Sequence, residues 1–395
     1  MFNKKTVKDI DFTNKRVVMR ADLDVPWDDQ GMVMDDFRIN DLIPTLEYLL
    51  NQNASVVIIG HRGRPKQPEL KTSTEEVAKL LDQKISATVK FVDDAGGGKS
   101  IEAAKELKPG EVLVCQNLRF YGEKDKPMNV EFAKNLSKLG EYFVQNAFSN
   151  SHRNHASMVG INQFLPSVAG FSIEREVIQL SKTIENPEHP VLAITGGAKL
   201  ETKLPLLEKF MKLADQIVCA GVMANTLLVA QGYSVGKSVY DQDEIDKAKE
   251  MLELAKQNGV SFVLPNKQVA VGKSLEDTNR RDLALDEIAN DDLILDFGDE
   301  SIAEVLELIN QARTIIWNGP LGYYENPVFA KGSQIVARTI AKSSARSVVG
   351  GGDTADVINS LGLASQFTHV STGGGASLEL LAGHKLPAVE ALLDK

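Results

Sequence analysis

The sequence predicts two doubly wound α/β domains, each built on a parallel sheet, joined by one helix. Three observations predict it. Short apolar, β-branched runs recur, each followed by a loop and then a stretch whose apolar residues return every three or four positions. At 395 residues the chain is longer than one ordinary hydrophobic core supports. The chemistry of the loops changes half-way, from Arg and His in the first half to Gly, Lys and Asp in the second.

In chain order, the first half offers KRVVMRA, SVVIIGH, EVLVCQN and EYFVQNAF as strands. INDLIPTLEYLLNQ and VEFAKNLSKLG have helical spacing. The second half offers PVLAITG, QIVCAG, SFVLP, TIIWNG, RSVVGG and FTHVSTG as strands. DEIDKAKEMLELAKQNG and SIAEVLELINQA are helices between them. Strands with continuous apolar runs, alternating with helices, belong to parallel sheets covered on both faces. FSIEREVIQLSKTIENPEHP reads as one connector helix ending before Asn186-Pro187. The expected boundaries are 1–170 for the first domain, 171–187 for the connector and 188–375 for the second domain.

Composition excludes several classes. Hydrophobic residues at 43% and charged residues at 25% are those of a soluble globular chain. No stretch has the 18 or so apolar residues of a membrane helix, and MFNKKTVKDIDF lacks the apolar centre of a signal peptide. Cys115 and Cys219 each sit in an apolar run and read as reduced core residues, so a cytoplasmic location is expected. A formal net charge of −10 argues against general nucleic-acid binding.

Against that acidic background GHRGRPK, residues 60–66, is a local cationic device. Arg20, Asp22, Asp24 and Arg38 precede it. His61, Arg62 and Arg64 form it, and Arg119, His152, Arg153 and His155 follow. Taken singly, Arg62 or His155 reads as an exposed loop charge. As a set, cations at the same end of successive strands form a basin for a small, highly charged anion, because guanidinium forks match phosphate and carboxylate oxygens in pairs. Nucleic acid would also want stacking aromatics and a longer basic track.

The second half carries TGGAKLETK, VGGGDTAD and STGGGASLE, each after a strand. Glycines let backbone approach phosphate, and a following helix presents free N–H groups and its positive dipole end. Lys199, Lys203 and Asp353 lie in or beside these loops. GYSVGKS and GGGKS imitate a phosphate-binding loop but lack its first glycine, with Gln231 and Asp93 in that place. Asp353 suits Mg²⁺, which keeps its waters and is held mainly by phosphates; the alternative is a cap on a helix over 353–361. Glu325 reads either as an acceptor for ribose hydroxyls or as a solvent-facing carboxylate.

With these residues in place the chain resembles phosphoglycerate kinase. RADLDVP, HRGRP, NLRF, HRNHAS, GGAKLETK, WNGPLGYYE, GGGDTA and STGGGASLE stand in that family's order, nearly end to end. The resemblance implies two Rossmann-like domains and a monomer. It implies a carboxyl-terminal segment, 376–395, that completes the first domain. It also implies reversible, Mg²⁺-dependent phosphoryl transfer between 1,3-bisphosphoglycerate with ADP and 3-phosphoglycerate with ATP. Asp22, Asp24, Arg38, His61, Arg64, Arg119, His152 and Arg153 would then hold phosphoglycerate. Lys199, Lys203, Gly298, Glu325, Gly351, Gly352, Asp353 and Thr354 would hold the nucleotide, Asp353 serving the metal. Arg38, Lys199, Gly352 and Gly374 would meet the transferring phosphoryl group, and closure about a hinge is implied.

The chain departs from the family pattern in four places. Asp24 stands where the family has Asn, adding a charge that repels an anionic substrate unless it is paired. Arg62 stands where the family has Leu and reads as the counterweight. Ala220-Gly221-Val222 replaces three glycines near the adenine, and Lys267 replaces an Asp. The competing function is a non-catalytic descendant that binds phosphoglycerate or nucleotide.

Overall fold

The computed structural model describes residues 2–28, 33–34, 36–121, 123, 128–197, 200–371 and 373–395, with the side chain of Thr202 left out. The chain divides into two compact units, Met1–Ile178 with Lys385–Lys395, and Gln179–His384.

The first unit is built on six parallel strands: β1 Arg16–Arg20, β2 Ser55–Ile59, β3 Val89–Val92, β4 Val112–Cys115, β5 Tyr142–Gln145 and β6 Ser167–Ala169. Their spatial order is β3-β4-β2-β1-β5-β6. Side chains alternate between the two faces of a strand, and here both faces are covered. Val17, Met19, Val56 and Ile58 pack with Leu42, Leu46 and Leu49. Val18, Val57, Ile59 and Phe143 join Phe132 and Leu136 in a second cluster. Burial of both faces is why these strands read as continuous apolar runs. The register Arg20↔Ile59 and Arg20↔Gln145 sets the carboxyl ends of β2, β1 and β5 side by side. Because β2 and β5 flank β1 on opposite sides, the crevice of a doubly wound sheet opens there.

Of the segment expected here, 376–395, only Lys385–Lys395 falls in this unit, and 376–384 falls in the second. Leu386, Ala388, Val389 and Leu392 are buried, the Lys5 N–H donates to the Leu393 carbonyl at 2.7 Å, and the Leu393 N–H donates to Ser167 at 3.0 Å. The stretch expected as the connector, 171–187, is helical over Phe171–Glu185, and the division between the units falls within that helix.

The second unit repeats the plan with β7 Val191–Thr195, β8 Gln216–Cys219, β9 Ser261–Val263, β13 Thr314–Asn318, β14 Arg346–Val349 and β15 His369–Val370. These six lie in the order β15-β14-β13-β7-β8-β9, all parallel. Leu192, Ile194, Ile315 and Trp317 pack with Ile302, Val305, Val336 and Ile340. One element goes beyond the sequence reading: a three-stranded antiparallel sheet with β10 Val269–Gly272 between β11 Arg281–Leu283 and β12 Leu293–Phe297. β10 (VAVG) and β12 (LILDF) are apolar runs that the sequence reading did not take up, and only β11 (RDL) is polar. Among the described residues no helix is long and apolar enough to cross a membrane.

Candidate active site

In the first unit the polar residues gather at the β2–β1–β5 edge. Arg38 opens the helix Phe37–Leu50. Its guanidinium donates to Asp22 Oδ1 at 3.1 Å and to the Asp24 carbonyl at 3.0 Å. The Ser149 hydroxyl donates to the other oxygen of Asp22. Asp24 Oδ1 accepts the Gly63 N–H at 2.7 Å, and Asp24 Oδ2 lies 3.8 Å from His61 Nε2. Gly63 has φ +61°, and a Cβ there would stand 2.9 Å from Thr72 Cγ2, so the turn that aims its N–H at Asp24 needs glycine. The Gly63 carbonyl in turn accepts from half-buried Arg119 at 2.9 Å.

Arg64 and Arg153 are exposed; among the described residues neither guanidinium makes a hydrogen bond or an ion pair. His152 is half-buried.

Three sequence expectations need correction here. Arg62 is neither an exposed loop charge nor the direct partner of Asp24. It is 2% exposed, its guanidinium lies over the ring of Trp27, and it donates to the Ser73 carbonyl at 2.6 Å. Trp27 offers an aromatic face, which competes well for a guanidinium. His155 is not a solvated charge either, since its Nδ1 lies 3.4 Å from Glu123 Oε1. His61 is not a cation: burial, then the charges of Arg20 and Arg119, push its protonation well below the usual imidazole range.

In the second unit the glycine loops meet at the edge where β7 and β13 run side by side. Gly319 has φ +99°, and a Cβ on it would stand 2.3 Å from the Gly196 carbonyl oxygen. Both loops are glycine because their backbones touch. Asn318 closes β13, accepts from the Lys203 ammonium and donates to the Gly350 carbonyl at 2.5 Å. It thus holds together a loop of GGAKLETK and a loop of GGGDTA. Burial pushes Lys203 down to about 8, against a smaller opposing pull from Asp353.

Gly352 begins the helix Gly352–Ser360, with Gly351 at its N-cap position and no side-chain cap. The capping alternative for Asp353 is therefore not taken, and its carboxylate is exposed. Thr354 is buried and accepts the Gly319 N–H at 2.7 Å. Gly374 has φ +51° just before the helix Gly375–Leu381. Gly298 caps the helix Asp299–Gln311, with Gln268 closely over it. Lys199 lies outside the described residues.

Beside these loops is a cavity of about 270 Å³, walled by Val222, Leu293, Leu295, Phe297, Leu321 and Tyr323, with Glu325 and Asp353 among its polar residues. Gly298 and Ala220 are not in its wall. Tyr324 lines it too, its hydroxyl pushed up to about 12 by burial and then by the charge of Asp353. Lys267 forms an ion pair with Glu304 at 3.2 Å. The imitation loop at 96–100 has its own anion: Asp94 Oδ2 accepts the Ser100 N–H at 2.9 Å where a phosphate would lie.

The whole arrangement has known counterparts. The family model described as phosphoglycerate kinase matches residues 7–384. The chain belongs to the phosphoglycerate kinase family. A phosphoglycerate kinase of Hydrogenobaculum sp. is 43% identical over 397 residues, covering all of both chains. That of Pelotomaculum thermopropionicum is 41% identical over 393 residues, covering 99% of this chain and all of the relative. Among solved structures, phosphoglycerate kinase from Coxiella burnetii matches with a TM-score of 0.86 at 36% identity. The enzyme from Pyrococcus horikoshii OT3 matches with 0.83 at 33%. Each comparison covers 98% of both chains.

Within this phosphoglycerate kinase fold, sequence reasoning passed over Ser149, Glu123, Asn318 and Tyr324. Asn318 had a legible signal, since it ends a strand immediately before a glycine loop. Glu123 had none: its partners lie more than 30 residues away in sequence.

Proposed function

We propose that the chain is an active phosphoglycerate kinase, transferring a phosphoryl group reversibly between 1,3-bisphosphoglycerate with ADP and 3-phosphoglycerate with ATP. The observation that carries this reading is Lys203, half-buried and hydrogen-bonded to Asn318 among glycine loops. A lysine whose burial lowers its proton affinity recovers it beside phosphate, so the site is suited to a polyanion.

The acceptor is the carboxylate of 3-phosphoglycerate, ionised near pH 7. Transfer then needs no general base, and the side chains position the reactants and offset charge on the phosphoryl oxygens. In the first unit Arg38, Arg64, Arg119, Arg153 and His152 serve the substrate's anionic groups. His61 donates from its ring, and Asp22 and Asp24 accept from its hydroxyl. In the second unit the apolar cavity takes the base, Glu325 the ribose, and Lys199 and Lys203 the phosphates. The backbone N–H groups at Gly351, Gly352 and Gly374, with the start of the helix that contains Thr354, add donors along the phosphates.

Among the described residues no three His, Cys, Asp or Glu side chains cluster as a metal cage. The exposed carboxylate of Asp353 at a phosphate-facing helix start fits Mg²⁺, which needs only one or two carboxylates beside phosphate and water. When bound, that ion would screen the phosphate charges. Burial pushes both thiols, Cys115 and Cys219, up, and such inert cysteines suit the cytoplasm.

The test is ATP-dependent formation of acyl phosphate from 3-phosphoglycerate in a coupled assay. Wild type is expected to turn over, and Lys203→Ala and Lys199→Ala to lose about a hundredfold or more in kcat. Wild-type turnover no faster than that of the variants would instead favour a non-catalytic binding protein.

A further inference from the structure

His61 and Arg20 together define more than a patch of positive charge. Arg20 Nη2 lies 3.0 Å from His61 Nδ1. A guanidinium has only N–H donors, so at that distance Nδ1 presents its lone pair. In the neutral ring the proton then sits on Nε2, the nitrogen that faces Asp24 Oδ2 at 3.8 Å.

Arg20 is held so that it cannot turn away. It is 1% exposed, its Nε donates to Ser157 Oγ at 3.0 Å, and its Nη1 donates to the Ala21 carbonyl. Glu123, 4.0 Å away, balances its charge. That carboxylate is itself fixed by the Ser157 N–H at 2.9 Å and the Ser157 hydroxyl at 2.7 Å. His61 is 6% exposed, so its ring is as confined as its partner.

We propose that Arg20 is a positioning residue for the phosphoglycerate site, locking His61 in the neutral Nε2–H tautomer so that the ring offers one fixed donor to a substrate oxygen. A ring free to exchange tautomers would spend part of its time presenting a lone pair to an anion, which repels it. Asp24, the departure from the family pattern, faces the same nitrogen at 3.8 Å, beyond hydrogen-bond reach, and leaves the Nε2 proton free for a substrate oxygen. That the oxygen belongs to phosphoglycerate rests on the function proposed above; the tautomer rests on the geometry alone.

Long-range ¹H–¹⁵N correlation spectra of the labelled full chain at pH 7, with His61 assigned by its loss in His61→Asn, test the proposal. The expected result is a protonated Nε2 and an unprotonated Nδ1, with and without saturating 3-phosphoglycerate. A protonated Nδ1, as the other tautomer or as imidazolium, would overturn it. Arg20→Met is expected to mix the tautomers and raise KM for 3-phosphoglycerate about tenfold, the worth of one charge-assisted hydrogen bond. KM for ATP should not move. Arg20→Lys, which retains a donor, should restore the Nε2–H signature. A raised KM with an unchanged tautomer would assign Arg20 to direct substrate contact and overturn the positioning role. Should Arg20→Met fail to fold, the wild-type and Arg20→Lys spectra decide. Absence of wild-type turnover would sink the kinase reading and leave the tautomer measurement standing.

Discussion

Asp24 and Glu123 show how differently two carboxylates behave within one basin. Asp24 is partly exposed and accepts a single backbone N–H at short range, and Arg62 gives it no ion pair. Its charge therefore remains near any anion held by Arg38 and Arg119. Asp24→Asn keeps an oxygen for the Gly63 N–H and should lower KM for 3-phosphoglycerate by roughly three- to tenfold. That is the ~1 kcal/mol of a like-charge pair several ångströms apart at a high effective dielectric. An unchanged or higher KM would mean that the neighbouring cations already balance the charge. Glu123 is fully enclosed. Burial works to raise its pKa, but His155, Arg20 and Ser157 outweigh it and hold the group at about 2. A carboxyl depressed in the folded state adds stability above its unfolded value of about 4.5, and loses it as pH falls from there toward 2. Glu123→Gln should therefore cost about 3 kcal/mol at pH 7 by stranding Arg20. The deficit should shrink as urea titrations move from pH 5 toward pH 2; a deficit independent of pH would assign the loss to packing.

At the scale of elements, the site depends on where strands end and on which loops touch. The motifs flanking β7 and β13 are far apart in sequence, yet Gly196 N–H donates to Asn318 at 2.9 Å and Gly319 backs onto Gly196. Gly319→Ala demands both a positive φ and room that the Gly196 carbonyl occupies. It should cost about 2 kcal/mol or more, and kcat should fall because Asn318, and with it Lys203, shifts. Equilibrium unfolding and the coupled assay measure the two effects. Wild-type stability in this variant would show that the two loops are free to part. The loop of Gly196 was legible as one of three glycine loops that follow strands, whereas Gly319 lies in WNGPLGYYE, outside those three. The contact between the two was not legible, because no local pattern encodes which two parallel strands become neighbours.

On the scale of the whole molecule, the chain returns at its end to the unit in which it began. Residues 385–395 place Leu386, Ala388, Val389 and Leu392 in that unit's interior, and Lys4 pairs with Asp394 at 2.8 Å. Deleting 385–395 exposes this apolar surface and leaves β6 without its Leu393 hydrogen bond. Burying each of the larger aliphatic side chains contributes about 1.5–3 kcal/mol. The deletion should lower the urea midpoint and abolish phosphoglycerate binding, while nucleotide affinity, proposed above to reside in Gln179–His384, should persist. Loss of both affinities together would show that the second unit needs the segment too.

Legible in the sequence alone were the α/β class, the alternation of strand and helix, the helix over Phe171–Glu185 and the residue types gathered at the strand ends. Each of these is local: a period of apolar residues, a glycine after a strand, an arginine after a β-branched run. Tertiary structure decided which of those charges is a charge at all. GHRGRPK looks like four equivalent cations, yet His61 is a neutral donor, Arg62 is buried over Trp27, Arg64 is exposed and Lys66 lies in solvent. Proton affinity and partnership depend on desolvation and on groups distant in sequence, such as Arg20, Trp27 and Glu123. Only the folded chain brings those groups together.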